Sequence, residues 1–167
     1  MTNDVARRWL GPGLFLLVLV LDFLTKRWAL AGLADQGFVQ VTGFFNLVLV
    51  WNRGVSFGMF QAGGEHGRWL LVGMAVLVSA VLLVWLRREQ RLLPRLAIWL
   101  ILAGALGNVV DRVRFGAVID FLDFHAFGYH WPAFNVADSA IVVGAVLLVG
   151  DSLLGGRVAL PVGGRQK

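Results

Sequence analysis

The stretch W-L-L-V-G-M-A-V-L-V-S-A-V-L-L-V-W-L, residues Trp69 to Leu86, is eighteen residues long and contains no charged side chain. As an α-helix it would be about 27 Å long, at roughly 1.5 Å per residue, close to the thickness of the hydrocarbon core of a bilayer. The whole chain agrees with this indication, because 58% of its 167 residues are hydrophobic and its mean hydropathy is +0.75. A soluble domain of this size could not bury so much apolar surface. We therefore expect an integral membrane protein.

Three further apolar segments predict three more membrane helices. They cover residues 9–30, 96–112 and 135–154, and each contains polar residues inside the segment or at its edge. Between the first two helices, residues 37–60 include a stretch rich in Val and Phe that glycines punctuate, which favours short β-strands. The sequence thus predicts one α-helical membrane domain, residues 1–167, with four transmembrane helices and a small β-sheet at the membrane surface.

Arginine and lysine residues indicate the orientation of the helices. Nine of them lie on one side of the predicted membrane: Arg7, Arg8, Arg87, Arg88, Arg91, Arg95, Arg157, Arg165 and Lys167. By the positive-inside rule this side, with both termini, is cytoplasmic, and residues 32–68 and 113–134 are outside. The formal net charge of +5 therefore reflects membrane orientation, and we expect no nucleic-acid partner.

The N-terminal segment could also be interpreted as a cleaved signal peptide, since two arginines, an apolar stretch and Ala29-Leu-Ala31 follow one another. In that case Asp22, Lys26 and Arg27 would lie within or beside the apolar region, which is unusual for a cleaved signal. We therefore expect helix 1 to be retained.

Four aspartates lie close together near the predicted outer ends of helices 3 and 4: Asp111, Asp120, Asp123 and Asp138. Asn135 and Asp138 alone could be a helix cap and a complement to the helix dipole, but this does not explain the other aspartates. Charged groups at membrane depth are costly, so they indicate function. Two carboxylates at close range share a proton, and one can then act as general base on water while the other acts as general acid. From the residues alone, Asp120, Asp123 and Asp111 are all candidate partners of Asp138.

Helices 1 and 3 each carry polar residues on one face. Asp22 and Lys26 are four residues apart, which is salt-bridge spacing and predicts a structural ion pair. In helix 3, Gly104, Asn108 and Arg112 recur at four-residue steps and so share one face. The amide and the guanidinium favour a polar cavity on that face over simple helix packing.

Other hydrolase chemistries lack their structural context here. Gly54-Val-Ser56-Phe-Gly58 matches the G-x-S-x-G of serine hydrolases, but that motif needs a large α/β sheet for which the chain has no room. The three histidines have no H-E-x-x-H spacing and there is no cysteine. We therefore expect no metal site and no cofactor.

Five sequence blocks occur in order around the four predicted helices. They are Asp22-x-x-x-Lys26, Asn52-Arg-Gly54-Val-Ser-Phe57, Gly104-x-x-Gly107-Asn108-x-x-Asp111-Arg112, Val118-Ile-Asp120-Phe121 and Phe134-Asn135-Val-Ala137-Asp138-Ser139. The set resembles signal peptidase II, or lipoprotein signal peptidase, a family of bacterial inner-membrane aspartic endopeptidases. The resemblance covers nearly the whole chain, and the order of the five blocks makes it specific although each block alone is weak.

The resemblance implies the activity and the residues that carry it. The family removes the signal peptide of prolipoproteins, cleaving before a cysteine that already bears a diacylglyceryl group. Its catalytic dyad corresponds to Asp120 and Asp138, and its helix-1 pair to Asp22 and Lys26. The family's substrate-binding or site-shaping positions correspond to Asn52, Gly54, Asn108, Arg112, Asn135 and Ala137.

The resemblance also implies a setting. The family fold has four membrane helices and a small extracytoplasmic sheet that cradles the substrate. Its partners are lipid-modified prolipoprotein signal peptides and membrane lipid, and we expect a monomer. The expected location is the bacterial inner membrane, with both termini cytoplasmic and the active site near the extracytoplasmic face.

The chain departs from the common family pattern at two places. Phe23 follows Asp22 where many members have Gln, and Val55-Ser56 stand where many have Ala-Ala. Neither departure touches the predicted dyad, so both bear on substrate preference alone.

Three alternatives differ in testable sequence features. A small transporter or channel would also use intramembrane charges, but it predicts inverted repeats that this chain does not show. A scaffold membrane protein would use the carboxylates only to anchor helices. The G-x-G-D intramembrane aspartyl proteases carry a tetrapeptide that is absent from this sequence.

The predicted orientation can be tested by labelling single cysteines. A membrane-impermeant thiol reagent added from outside should label Gly64→Cys and should not label Gln90→Cys, because the arginines hold the second position in the cytoplasm. External labelling of Gln90→Cys would overturn the predicted topology.

Overall fold

The structure, a computed structural model, describes residues 2–54 and 64–154, and for residues 2–8 and 64 it describes the backbone alone. The elements in chain order are α1 (Thr2–Leu33), β1 (Phe38–Gln40), β2 (Phe45–Asn52), α2 (Gly64–Arg88), α3 (Leu92–Phe115), β3 (Val118–Ala126), β4 (Tyr129–His130) and α4 (Val136–Leu153). The end of the predicted β region, with Ser56, and residues 155–167 lie outside the described part of the chain.

Helix α3 is at the centre of the helical bundle. It contacts α1, α2 and α4, and 44% of its apolar window is buried, against 11% in α2 and 17% in α4. These three helices are long and apolar enough to span a membrane, and α1 is longer still, with 32 residues. Large apolar side chains such as Leu77, Val81 and Val146 are exposed, as expected of residues that face lipid. The predicted fold class, a helical membrane protein with a small β-sheet, is confirmed.

Glycines allow α3 to approach its neighbours closely. A Cβ atom at Gly104 would overlap the carbonyl oxygen of Ala137, and one at Gly144 would lie 2.6 Å from the carbonyl oxygen of Ala97. Helices α3 and α4 therefore touch through their backbones at two places, as small residues permit in membrane bundles. This contact brings the first turn of α4 against the middle of α3.

The four strands form one antiparallel sheet in the order β1-β2-β3-β4. A cluster of Ala29, Leu33 and Phe121 packs the sheet against the last turns of α1. The first four residues of β3, Val118 to Phe121, are all buried. A side chain at the start of β3 therefore lies where the sheet meets the helices.

Part of the architecture differs from the sequence prediction. Strands β3 and β4 were not predicted, because the polar residues of β3 have buried partners on other elements and so break the usual alternation. Helices α1, α2 and α3 also extend further than the predicted apolar segments, since α1 begins at Thr2 and α2 at Gly64, whereas α4 is one residue shorter at each end. The predicted arginine-rich loop is only residues 89–91, since Arg87, Arg88 and Arg95 all belong to helices.

The close contact between α3 and α4 predicts a stability difference between two glycine substitutions. Gly104→Ala should lower the thermal unfolding midpoint in detergent, because the added methyl group meets backbone that cannot move aside. Gly73→Ala in α2 is the control, since nothing lies within 4 Å of the position that its added methyl group would take, and it should leave the midpoint unchanged or slightly raised. Equal midpoints for the two variants would contradict the packing described here.

Candidate active site

Asp120 is a buried carboxylate near the start of β3. Its side chain is only 1% exposed, and each of its oxygens accepts a hydrogen bond from an amide. Asn52 donates to Oδ2 over 3.0 Å, and Asn135 donates to Oδ1 over 2.7 Å. Because Val50 pairs with Asp120 in the sheet, Asn52 lies two residues further along the same face of β2, as a diagonal neighbour.

Asp138 lies in the first turn of α4, inside a capping box. The Asn135 side chain accepts a hydrogen bond from the Asp138 backbone N–H over 2.8 Å. In return, Asp138 Oδ2 accepts from the Asn135 backbone N–H over 3.3 Å, and Oδ1 accepts from Asn108 Nδ2 over 2.7 Å. Asp138 thus accepts hydrogen bonds from two N–H donors and lies at the positive end of the α4 dipole. Asn135 thus contacts both aspartates.

The three asparagines are held so that their amino groups face carboxylates. In each of them, another donor occupies the amide oxygen: the Gly54 backbone N–H for Asn52 at 3.1 Å, Lys26 Nζ for Asn108 at 3.3 Å, and the helix backbone for Asn135. The amide nitrogen is then left to donate to Asp120 or Asp138. The hydrogen bonds therefore decide which end of each amide is the oxygen and which is the nitrogen.

The environment of Asp120 raises its affinity for a proton. Burial, followed by the negative charge of Asp138, raises the pKa of Asp120 from the ordinary 3.8 to about 7. The hydrogen bonds from Asn52 and Asn135 and the more distant charge of Lys26 oppose this shift but do not cancel it. Near neutral pH the two aspartates can therefore hold one proton between them.

Behind the two aspartates, Lys26 lies between two other buried carboxylates. Its Nζ is 2.7 Å from Asp22 Oδ2 and 2.8 Å from Asp111 Oδ2. The spacing of Asp22 and Lys26 predicted the first contact, but nothing in the sequence pointed to the second. Asp22 also accepts from the backbone N–H of Ala137 over 3.0 Å, and Asp111 from that of Ile119 over 3.3 Å. This ion triad therefore fixes the positions of α4 and β3.

Arg112, Gly54 and Ala137 surround the two aspartates in different ways. Arg112 donates to the carbonyl oxygen of Gly54 over 3.1 Å and to that of Asn108 over 3.4 Å, so it links α3 to the end of β2. Ala137 is fully buried under Gly104 and Gly107. A larger residue there would push α4, with Asp138, away from α3.

Asp123 belongs to a separate cluster at the far end of β3. It accepts from Asn46 over 2.8 Å and lies 2.9 Å from His130 Nδ1. Burial opposes its ionisation, but the bonds from Asn46 and His130 outweigh burial and lower the pKa of Asp123. No sequence signal pointed to Asn46, which is 77 residues away along the chain. Of the three candidate partners of Asp138, the structure brings only Asp120 into contact with the capping residue Asn135.

Residues 2–54 and 64–154 contain no group of three or more His, Cys, Asp or Glu side chains that could hold a metal ion. The arrangement offers two carboxyl groups, one of them with a raised pKa, and oriented amides, which together can transfer protons to and from a bound water.

Fold and site define a class: a helical membrane protein with two aspartates that share hydrogen bonds with one asparagine where its sheet meets its helices. Comparison with known proteins narrows this class. The sequence model of signal peptidase (SPase) II matches residues 14–154. The lipoprotein signal peptidase of Ralstonia nicotianae is 50% identical over 147 residues, which are 87% of this chain and 83% of that protein. That of Burkholderia thailandensis is 49% identical over 147 residues, 87% of each chain.

Two solved structures of bacterial membrane enzymes, both obtained by the in meso method, share the fold. The structure at 2.3 Å has a TM-score of 0.77 and 28% identity, and covers 90% of this chain and 92% of its own. The structure at 1.9 Å has a TM-score of 0.73 and 30% identity, with coverages of 88% and 94%. The chain belongs to the signal peptidase II family and is a peptidase embedded in a membrane.

The ion triad predicts a large effect of removing its one positive charge. Lys26→Met leaves Asp22 and Asp111 buried without compensation, and should lower the free energy of unfolding by about 3–5 kcal/mol. Denaturant unfolding in detergent micelles measures this loss. The triple variant Lys26→Met/Asp22→Asn/Asp111→Asn should recover much of it, because no buried charge remains. A triple variant no more stable than Lys26→Met would show that the lysine acts by packing alone.

Proposed function

We propose that this chain removes the signal peptide from lipid-modified prolipoproteins, with Asp120 and Asp138 as its catalytic dyad and no metal or cofactor. The observation that carries the proposal is the pair itself. Asn135 contacts both aspartates, and Asp120 has a pKa of about 7. Aspartic peptidases need such a pair, with one member protonated and one ionised at the working pH.

The two aspartates would take complementary roles. Asp138, which accepts two N–H bonds and lies at a helix N-terminus, acts as general base and takes a proton from a water whose oxygen attacks the scissile carbonyl carbon. Asp120 donates its proton to the carbonyl oxygen, so that a neutral tetrahedral gem-diol forms. Asp138 then passes its proton to the peptide nitrogen, Asp120 takes a proton back from one hydroxyl of the gem-diol, and the C–N bond breaks, so that both aspartates return to their starting states. The products are a signal peptide with a new carboxyl group and a lipoprotein with a free amino group.

The remaining site residues would position the substrate and the dyad. Asn52 ends β2 next to Asp120 and Gly54 lies two residues beyond it, and an extended peptide laid beside them would cross the dyad. Arg112 holds the Gly54 segment against α3, while Asn108 and Asn135 keep both carboxyl groups in place. Under this proposal each of the six site-shaping positions would either contact the dyad or support it.

The location of the site would suit a substrate that is itself in the membrane. Asp138 lies in the first turn of α4 and Asp120 lies in the sheet beside it. We place this end at the extracytoplasmic face of the bacterial inner membrane, with both termini in the cytoplasm, because the arginines gather at the opposite helix ends. A signal peptide that spans the membrane would present its lipid-bearing cleavage site at that depth. The site lies within one chain, so a monomer would suffice.

Substitution of the dyad should abolish cleavage without unfolding the protein. Asp120→Asn and Asp138→Asn should each lose nearly all activity on a diacylglyceryl-modified prolipoprotein, because an amide cannot exchange a proton. Asp123→Asn is the control, since it removes a buried carboxylate outside the pair, and its loss should be much smaller. Full activity in either dyad variant, with full loss in Asp123→Asn, would mean that the second acid is misassigned.

The raised pKa of Asp120 separates a catalytic role from a structural one. The folded protein holds this proton more tightly than the unfolded chain, so stability falls as the pH rises from about 4 through about 7. Asp120→Asn removes a charge that is costly to bury, and at pH 8 its unfolding midpoint should equal or exceed that of the unsubstituted protein. A much lower midpoint at pH 8 would show that Asp120 is there to stabilise the fold.

Recognition of the substrate should depend on its lipid. Each buried methylene contributes about 0.8 kcal/mol to membrane binding, and the acyl chains would hold the cysteine at the depth of the dyad. Two substrates with one peptide sequence, one carrying diacylglyceryl-cysteine and one a free cysteine, should be compared in the same bilayer. Only the lipid-bearing substrate should be cleaved at a substantial rate. Equal rates would leave a membrane peptidase without lipid selection.

A further inference from the structure

A groove between α1 and α3 lies apart from the dyad. Its volume is about 480 Å³, and much of its wall consists of apolar side chains: Leu19, Phe23, Leu30, Leu106, Val110 and Phe115. Lys26 also lines the groove and donates to Asn108, which in turn donates to Asp138. The groove is therefore separated from the catalytic pair by this lysine and this asparagine, and the proposed cleavage gives it no role.

Two exposed arginines line the same groove. The Arg27 guanidinium lies 5.9 Å from the centre of the Phe23 ring, and that of Arg114 lies 5.1 Å from the centre of the Phe115 ring. Both rings are part of the groove wall. Neither arginine forms an ion pair with any carboxylate of the described residues. The groove thus offers two guanidinium groups whose charge no side chain in the described ranges neutralises.

The charges of the groove favour an anion. Two carboxylates, Asp22 and Asp111, also line it, but both are bound to Lys26. With three cations and two carboxylates, the lining carries a net charge of +1 (3 − 2), and its unpaired positive charge belongs to Arg27 and Arg114. Guanidinium groups bind phosphate through paired N–H donors.

The position of the arginines fits the boundary between acyl chains and headgroups. Arg114 is in the last turn of α3, and Arg27 is in the last two turns of α1, while the exposed Leu106 and Val110 lie one to two turns deeper in α3. A molecule with a phosphate at one end and hydrocarbon at the other would match this order. A second copy of the chain would bring the same two arginines to the contact and would be repelled.

We propose that the groove between α1 and α3 binds one anionic phospholipid, with its phosphate at Arg27 and Arg114 and an acyl chain along Leu106 and Val110. This lipid is distinct from the diacylglyceryl group of the substrate. Its binding can be measured without substrate and without catalysis, so failure of the proposed peptidase mechanism would leave this proposal standing.

The test is lipid binding to the full chain in detergent, measured by native mass spectrometry. Dioleoylphosphatidylglycerol and dioleoylphosphatidylcholine carry the same acyl chains and differ in net charge. The unsubstituted protein should bind one phosphatidylglycerol about tenfold more tightly than phosphatidylcholine. Arg27→Gln/Arg114→Gln should lose this preference. Arg87→Gln/Arg88→Gln removes two exposed arginines from the end of α2 and should retain it.

Three results would overturn the proposal. They are equal binding of the two lipids by the unsubstituted protein, a preference that survives Arg27→Gln/Arg114→Gln, and a preference that the α2 control loses equally. Soluble glycerol phosphate should not displace the lipid at a hundredfold excess, and displacement would show a phosphate site that does not use the apolar wall. The comparison of lipids on the unsubstituted protein decides the matter even if the groove variant fails to fold.

Discussion

The ammonium group of Lys26 holds together the elements from which the site is built. It binds Asp22 within α1 and Asp111 on α3, and these carboxylates accept from the backbones of α4 and β3. A buried charge is costly unless it is paired, so each of these contacts depends on the others. One positive charge thereby fixes the start of α4 and the start of β3, the two places from which Asp138 and Asp120 project.

Asp120 has different hydrogen-bond partners from Asp123, another buried acid on the same strand. Asp123 has a histidine partner and a lowered pKa, whereas the direct partners of Asp120 are neutral amides and its pKa rises to about 7. A lysine or arginine bound directly to Asp120 would favour the ionised form and remove the shared proton. The chain keeps its cations one residue away, with Asn108 between Lys26 and Asp138. Amides orient the carboxyl groups without adding a positive charge that would lower the pKa of Asp120.

The sequence predicted the parts of the protein that depend on local pattern. Apolar segments predicted the helices, and the four-residue spacing of Asp22 and Lys26 predicted their contact. It could not reveal β3 as a strand, because the partners that bury its acids lie far away, 68 residues for Asn52 and Asp120. For the same reason the residues alone could not choose the partner of Asp138. Asp111 is instead paired with Lys26. This is a tertiary contact, and the spacing of the aspartates within residues 111–123 does not predict it.

The central claim is that Asp120 and Asp138 share one proton near neutral pH, and infrared spectroscopy of the carboxyl stretch during a pH titration tests it most directly. The unsubstituted protein should show a protonated carboxyl band that disappears near pH 7 and is absent from Asp120→Asn. In Asp138→Asn the band should disappear at lower pH, because the negative charge that helps to hold the proton is gone. A band that titrates identically in Asp138→Asn, or no protonated carboxyl above about pH 5, would contradict the account.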